Sequence, residues 1–362
     1  MNLPRSVSLA SQSSRRSYNS MSDISPRASE LNRGRLSAFL RKAVPGLEGG
    51  MTIDRIAGGQ SNPTFFVTYG SRRMVLRKQP AGDVLPSAHA IDREYRILAA
   101  LENSAVPVPR VIVFCADRDV IGTPFYLMER LDGRVFATCE LPGVSPAERR
   151  AMYFSMAETL ARLHSIDWNS LGLVDFGKPG NYFGRQISRW TRQWDLSKTS
   201  DAAELDQLMK WLPNNLPTDT AATICHGDFR IGNLMFHPTE PRVIGVLDWE
   251  LSTLGDPLAD LAYSALAWRL LPSEYMGMRG LALDRLGIPS EREYLQRYYA
   301  ATNDCLRVEP FHYVFSLFRL AVIFEGIGAR TRRGSATFER AEELAKLSLA
   351  FARRALEVIA TD

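Results

Sequence analysis

Between residues 51 and 130 apolar and polar positions alternate in short runs, and elsewhere the apolar positions recur at helical spacing. Leu36, Phe39, Leu40 and Val44 share one helical face. Residues 51–57 and 64–69 then read as strands flanking Gly58-Gly59-Gln60-Ser61-Asn62-Pro63, a run of turn formers that predicts a hairpin. Residues 73–78 predict a third strand, 91–101 a helix, and 110–116 and 124–130 two more strands. Strands in succession with one helix against them indicate an α+β unit with an antiparallel sheet, not a repeating βαβ fold.

Beyond Asp132 the pattern is helical. Ser145, Pro146 and Glu148 supply a capping hydroxyl, a proline at the first helical position and a glutamate at the third. A helix should open there, turn Met152, Met156, Leu160 and Leu163 inward and end near His164. Residues 224–236 and 242–248 interrupt the helices with a hairpin-like element, and Asp256-Pro257 opens another helix by the same capping logic. Further helices are expected at 291–302, 311–330 and 335–359. The overall expectation is a small mixed lobe packed on a larger helical one.

Composition narrows the partners. Against 44 Lys and Arg stand 40 Asp and Glu, and a net charge of +4 over 362 residues gives no field for gathering nucleic acid. Cys115, Cys139, Cys225 and Cys305 lie far apart with no CxxC pair, which points away from a zinc cluster or disulfide framework and toward a cytoplasmic setting. No apolar run approaches the roughly 18 to 20 residues that cross a bilayer, so no membrane partner is expected. The Ser/Arg-rich first 30 or so residues, with no acid before Asp23, are expected to be a disordered tail; a transit peptide has similar composition.

One segment carries the chemistry: His226-Gly227-Asp228-Phe229-Arg230-Ile231-Gly232-Asn233, with Asp248 following in Val246-Leu247-Asp248-Trp249. Phosphoryl transfer needs a carboxylate to orient the attacking hydroxyl and oxygen ligands to hold magnesium on the nucleotide phosphates. Asp228 suits the first task. Asn233 and Asp248, a neutral amide and a carboxylate, suit the second.

This spacing resembles the catalytic loop and metal-binding aspartate of the protein-kinase-like fold. With His-Gly-Asp and Asp-Trp-Glu in place of the protein-kinase signatures, it is similar to the aminoglycoside phosphotransferase and choline kinase branch, over residues 50–330. The resemblance implies a bilobal α+β fold using ATP or GTP with Mg²⁺, divided into the tail at 1–33, a nucleotide-binding N-lobe at 34–131 and a C-lobe at 132–362. It makes Asp228 the catalytic aspartate, Asn233 and Asp248 the metal ligands, and His226 a brace for the loop. Arg230 is a candidate for neutralising the transferred phosphoryl group.

In the N-lobe, Gly59, Ser61 and Asn62 belong to a turn that could close over phosphates, although it is not a GxGxxG sequence. The resemblance places Arg77 where kinases keep a lysine paired with a helix glutamate, here Glu94. Lys78 is the alternative, and because neighbouring strand residues face opposite ways only one of the two can enter the cleft. Glu129 and Leu131 fall at the hinge that would hold the adenine edge.

The acceptor is less legible. The basic run at 330–333 favours an anionic or neutral molecule over a polycation. Residues 176–194 form an aromatic, glycine-punctuated insert resembling the kinase-like domains attached to some acyl-CoA dehydrogenases. That resemblance implies a hydroxyacyl compound or its CoA thioester, with Lys178, Arg185 and Arg189 as anion contacts; core packing explains Trp190 and Trp194 equally well. A catalytically silent nucleotide-binding module is the competing reading, motivated by Arg77 and the weak glycine turn. Protein kinase activity lacks the Ala-Pro-Glu element.

Overall fold

Asn32 opens the first helix among the described residues by accepting the Arg35 N–H on its side chain at 3.0 Å. The computed structural model describes residues 31–56, 62–80, 90–199, 201–302, 305–332 and 341–361. The predicted tail therefore lies almost wholly outside the described residues, as do Gly59 and Ser61. After α1 (Arg33–Ala43) come β1 (Met51–Arg55), β2 (Thr64–Tyr69), β3 (Arg72–Lys78), α2 (Ile91–Leu101), β4 (Val111–Cys115), α3 (Arg118–Ile121) and β5 (Phe125–Glu129). The strands form one antiparallel sheet in the order β1-β2-β3-β5-β4. Among these elements the unanticipated one is α3, a helix too short to show periodicity, opened by Asp117 and closed by Gly122 at φ 86°.

The pleat of β3 sorts the sheet into two faces. Met74 and Leu76 join Leu36, Leu40, Val67 and Leu127 in a core under α1. Arg77 points the other way, toward α2, whose Ile97, Leu98 and Leu101 belong to the core of the C-terminal lobe. Because α2 serves both lobes, its polar residues stand between sheet and cleft.

The larger lobe contains α4 (Pro146–His164), α5 (Tyr182–Ser197), α6 (Ala203–Asn214), β6 (Thr223–Cys225), β7 (Leu234–Phe236), β8 (Val243–Val246) and β9 (Thr253–Gly255). It continues through α7 (Pro257–Arg269), α8 (Leu283–Leu286), α9 (Glu291–Thr302), α10 (Pro310–Arg332) and α11 (Ala341–Thr361). Ser145 caps α4 as expected, accepting the Glu148 N–H, and the four apolar residues assigned to its inner face are buried. The aromatic insert is core material: Trp194 is buried, and Phe183 stands edge-on to Phe311 and Phe315 at 5.0 and 5.1 Å. Helix α10 corrects the reading that no apolar run is long enough to cross a membrane, since residues 310–330 pass that test by length and hydropathy. Its sides are buried against α5, α6, α7 and α11, which makes it the central helix of the lobe.

Where the chain passes between lobes it is bonded to the β7–β8 hairpin. Arg134 and Phe236 exchange backbone hydrogen bonds of 2.8 Å in both directions. The approach requires glycine at 133, where a Cβ would lie 2.5 Å from the Phe236 carbonyl oxygen. A Cβ on Gly245 would meet only the movable Cδ1 of Leu131, at 2.6 Å. We therefore expect Gly133→Ala to lower the free energy of urea unfolding by about 1–3 kcal/mol through overpacking. Gly245→Ala should cost less than about 1 kcal/mol, because the leucine can swing aside.

Candidate active site

The loop between β6 and β7 is held from beneath by buried groups. Asp260, on the first turn of α7, accepts the N–H groups of His226 and Gly227, the latter at 2.8 Å. Arg319 of α10 donates to the Gly227 carbonyl. Gly227 sits at φ 82°, and a Cβ there would come within 2.6 Å of the Leu251 carbonyl oxygen, so only glycine fits. His226 is fully buried: its Nε2–H donates to the Leu247 carbonyl at 2.9 Å, and its Nδ1 accepts the Asp228 N–H at 3.1 Å. It fastens the loop to the strand leading into Asp248 and has no surface for a substrate.

That loop presents the Asp228 carboxylate at the cleft. Both oxygens receive the Arg230 Nε–H at 3.2 Å, Oδ1 receives the Tyr263 hydroxyl, and Oδ2 receives the Asn233 amide at 2.7 Å. The same Asn233 nitrogen donates to the Asp228 carbonyl at 2.8 Å. Its amine end is thereby committed, and the amide oxygen remains as an acceptor. Leu234 pairs with Val246 across the hairpin, and the Leu247 N–H bonds the Asn233 carbonyl at 2.8 Å. This register sets Asp248, the next residue, at the same end of the hairpin as Asn233. An amide oxygen and a carboxylate beside a cleft are a donor set that fits Mg²⁺, which takes few protein ligands and keeps the rest for water and phosphate.

From the upper lobe Arg77 closes the arrangement. Its Nε meets Glu94 at 2.8 Å and its terminal nitrogen meets Asp248 Oδ1 at 2.5 Å, with Glu250 at 3.8 Å. Burial disfavours the Arg77 charge, but Glu94 and Asp248 outweigh burial and raise its pKa above the ordinary guanidinium value. Burial pushes the Glu94 carboxyl up while Arg77 pulls it down. Glu94 also takes hydrogen bonds from the Tyr126 hydroxyl at 3.1 Å and the Asn62 amide at 2.6 Å.

The choice between neighbouring cations on β3 is resolved by the pleat. Arg77 faces the cleft, and Lys78 is 3% exposed on the opposite face. Asn62, expected at the phosphates, is instead 1% exposed and braces Glu94, because a buried carboxylate needs donors more than a nucleotide does. Glu129 pairs its backbone N–H with the Arg110 carbonyl at 2.9 Å. The Leu131 N–H donates to no acceptor among the described residues. Of the three cations in the insert, Arg185 donates to the carbonyls of Lys178 and Gly180. Lys178 is exposed, and Arg189 lies over the Trp190 ring at 5.3 Å.

Two residues escaped the sequence reading. Tyr263 lies three positions after Asp260, so helical spacing alone puts both on the catalytic side of α7. Arg319 is a lone cation in the apolar middle of α10, a pattern that signals a buried structural partner.

Burial works to raise the Asp260 carboxyl, but His164, 3.6 Å away, with His226 and the Gly227 N–H, holds it below the usual value of 3.8. A depressed carboxylate stabilises the fold above its unfolded pKa, and that contribution is lost as pH falls through the folded value. Asp260→Asn should therefore reduce unfolding free energy at neutral pH by about 2 kcal/mol. The gap between variant and parent should narrow below pH 3.8, measured by urea titration across pH.

Residues 52–307 match the model of the phosphotransferase enzyme family. The chain is 44% identical over 317 residues to mouse acyl-CoA dehydrogenase family member 10, covering 85% of this chain and 29% of that protein. It spans less than half the length of the curated acyl-CoA dehydrogenase relatives it matches. The crystal structure of a putative aminoglycoside phosphotransferase from Ralstonia eutropha superposes with a TM-score of 0.83 at 41% identity, covering 91% of this chain and 99% of that one. A thermostable mutant of aminoglycoside phosphotransferase APH(4)-Ia, in ternary complex with AMP-PNP and hygromycin B, shares the fold at 17% identity and a TM-score of 0.56, over 88% of this chain and 97% of that one. With a bilobal architecture and a family match across most of both lobes, this chain belongs to the phosphotransferase enzyme family.

Proposed function

We propose that this phosphotransferase is a magnesium-dependent small-molecule kinase that transfers the γ-phosphoryl group of ATP to a hydroxyl. The observation that carries the reading is the convergence of Asp228, Asn233 and Asp248 at one end of the β7–β8 hairpin. Asp228 is oriented by three donors, so its carboxylate is placed to accept the hydrogen bond of an attacking hydroxyl without searching rotamers. Arg230, already on Asp228, is the cation next to the transferred group, and Arg77 takes the phosphates from the N-lobe side. Asn233 and Asp248 would hold Mg²⁺, which supplies charge neutralisation on the phosphate oxygens when bound.

The Glu129 carbonyl and the Leu131 N–H are proposed to take the purine edge, adenine or guanine. The complex of APH(4)-Ia with AMP-PNP supports a nucleoside triphosphate in a cleft of this fold. The silent-module reading loses one of its two motives, because Arg77 reaches both Glu94 and Asp248. For the acceptor we propose a hydroxyacyl compound or its CoA thioester, on the similarity to acyl-CoA dehydrogenase family members. A cytoplasmic location is proposed from the four free cysteines.

The test is ADP release with Mg-ATP across hydroxy acids, hydroxyacyl-CoAs, amino alcohols and sugars; no consumption with any of them sinks the proposal. Asp228→Asn should lower kcat by about 10²–10⁴-fold while Mg-ATP still raises the melting temperature. Asp248→Ala should remove the magnesium dependence of that thermal shift.

A further inference from the structure

Behind Asp228 lies a narrow cavity of about 40 Å³. Its lining includes Tyr263 and Arg230, two of the three side chains that hydrogen-bond the Asp228 carboxylate. Its walls include Met156, Leu266, Leu270 and Leu320. Several polar groups on its lining are spent within the protein: Ser264 pairs with the Tyr294 hydroxyl at 2.6 Å, Trp268 donates to the Pro289 carbonyl at 2.8 Å, and the Cys139 thiol donates to the Met276 carbonyl at 3.0 Å. A strap closes the outer side, with Tyr275 and Met276 at φ 74° and 54° and the Met278 N–H bonded to the Ala267 carbonyl at 2.6 Å.

From this geometry we infer that the cavity holds the alkyl substituent of the acceptor, on the far side of the carbinol carbon from its polar end. The inference rests on the kinase reading above and adds to it an apolar subsite with a length limit. A space lined mainly by apolar side chains, with several of its polar groups already paired within the protein, offers water little, and excluding water from it favours a hydrocarbon occupant. The two residues shared by the cavity and Asp228 indicate which hydrocarbon: a hydroxyl bonded to that carboxylate would carry its substituent past Tyr263. The volume has room for about three water-sized groups, so the favoured chain is short, and longer ones must displace the strap.

The experiment uses the full chain with Mg-ATP and a series of hydroxyacyl-CoAs, of fixed hydroxyl position, in which only the alkyl group beyond the carbinol carbon lengthens from methyl to octyl. We expect kcat/KM to rise about fourfold per methylene over the first three or so carbons and then to level or fall. Ala267→Phe, filling the cavity, should lower the butyl-to-methyl ratio of kcat/KM by about tenfold, whereas Leu320→Ala should move the optimum to longer chains. Because the two variants push in opposite directions, either one decides if the other fails to melt cooperatively. ADP release that is indifferent to chain length in the parent, or a profile that neither variant shifts, overturns the subsite and leaves the kinase reading standing. No ADP release with any member or with other hydroxyl compounds, in protein that binds Mg-ATP, overturns both.

Discussion

The architecture turns on one buried carboxylate. Asp260 receives two successive backbone N–H groups of the loop that carries Asp228, and it does so from the rigid first turn of a helix opened by Asp256 and Pro257. A loop in this position has a left-handed glycine and few backbone partners of its own, so without an acceptor below it the N–H groups would be buried and unpaired. Arg319 completes the clamp from the central helix by taking the Gly227 carbonyl. Donors and acceptor of one peptide segment are thus answered by opposite charges on two helices, and the direction of the Asp228 side chain follows from that.

A second arrangement ties the lobes together across the cleft. Arg77 stands between Glu94 on α2 and Asp248 at the hairpin, so one guanidinium compensates carboxylates from both lobes. The planar fork suits this task, since its edge and its end point at different partners. Tyr126 and Asn62 supply what Arg77 leaves unmet on Glu94, which explains why a turn residue expected to face the nucleotide is turned inward.

Much of this was legible in the chain because local chemistry and global fold agree. The capping set at Ser145, the strand alternation through 64–78 and the spacing from His226 to Asp248 each state their structure without long-range information. The choice between Arg77 and Lys78 was not decidable from sequence, because a one-residue shift in strand register exchanges their faces. Tyr263 and Arg319 were missed for a different reason: each acts on a loop far away in the chain, and only packing of α7 against β6 and of α10 against α7 brings them there. In the insert, Arg185 meets its own backbone, and the apolar length of α10 was overlooked, since a helix surrounded by others is as apolar as one meant for lipid.

The backbone at Asp248 narrows what can stand there. Its φ of 66° belongs to a conformation that asparagine, aspartate and glycine adopt far more readily than other side chains. Two demands meet at this position, the bend and the charge: asparagine would preserve the turn and surrender the anion, glycine would preserve the turn and surrender the side chain, and glutamate would keep an anion while straining the chain. Aspartate meets both demands at once, accepting the bend and supplying the anion that the Arg77 guanidinium faces.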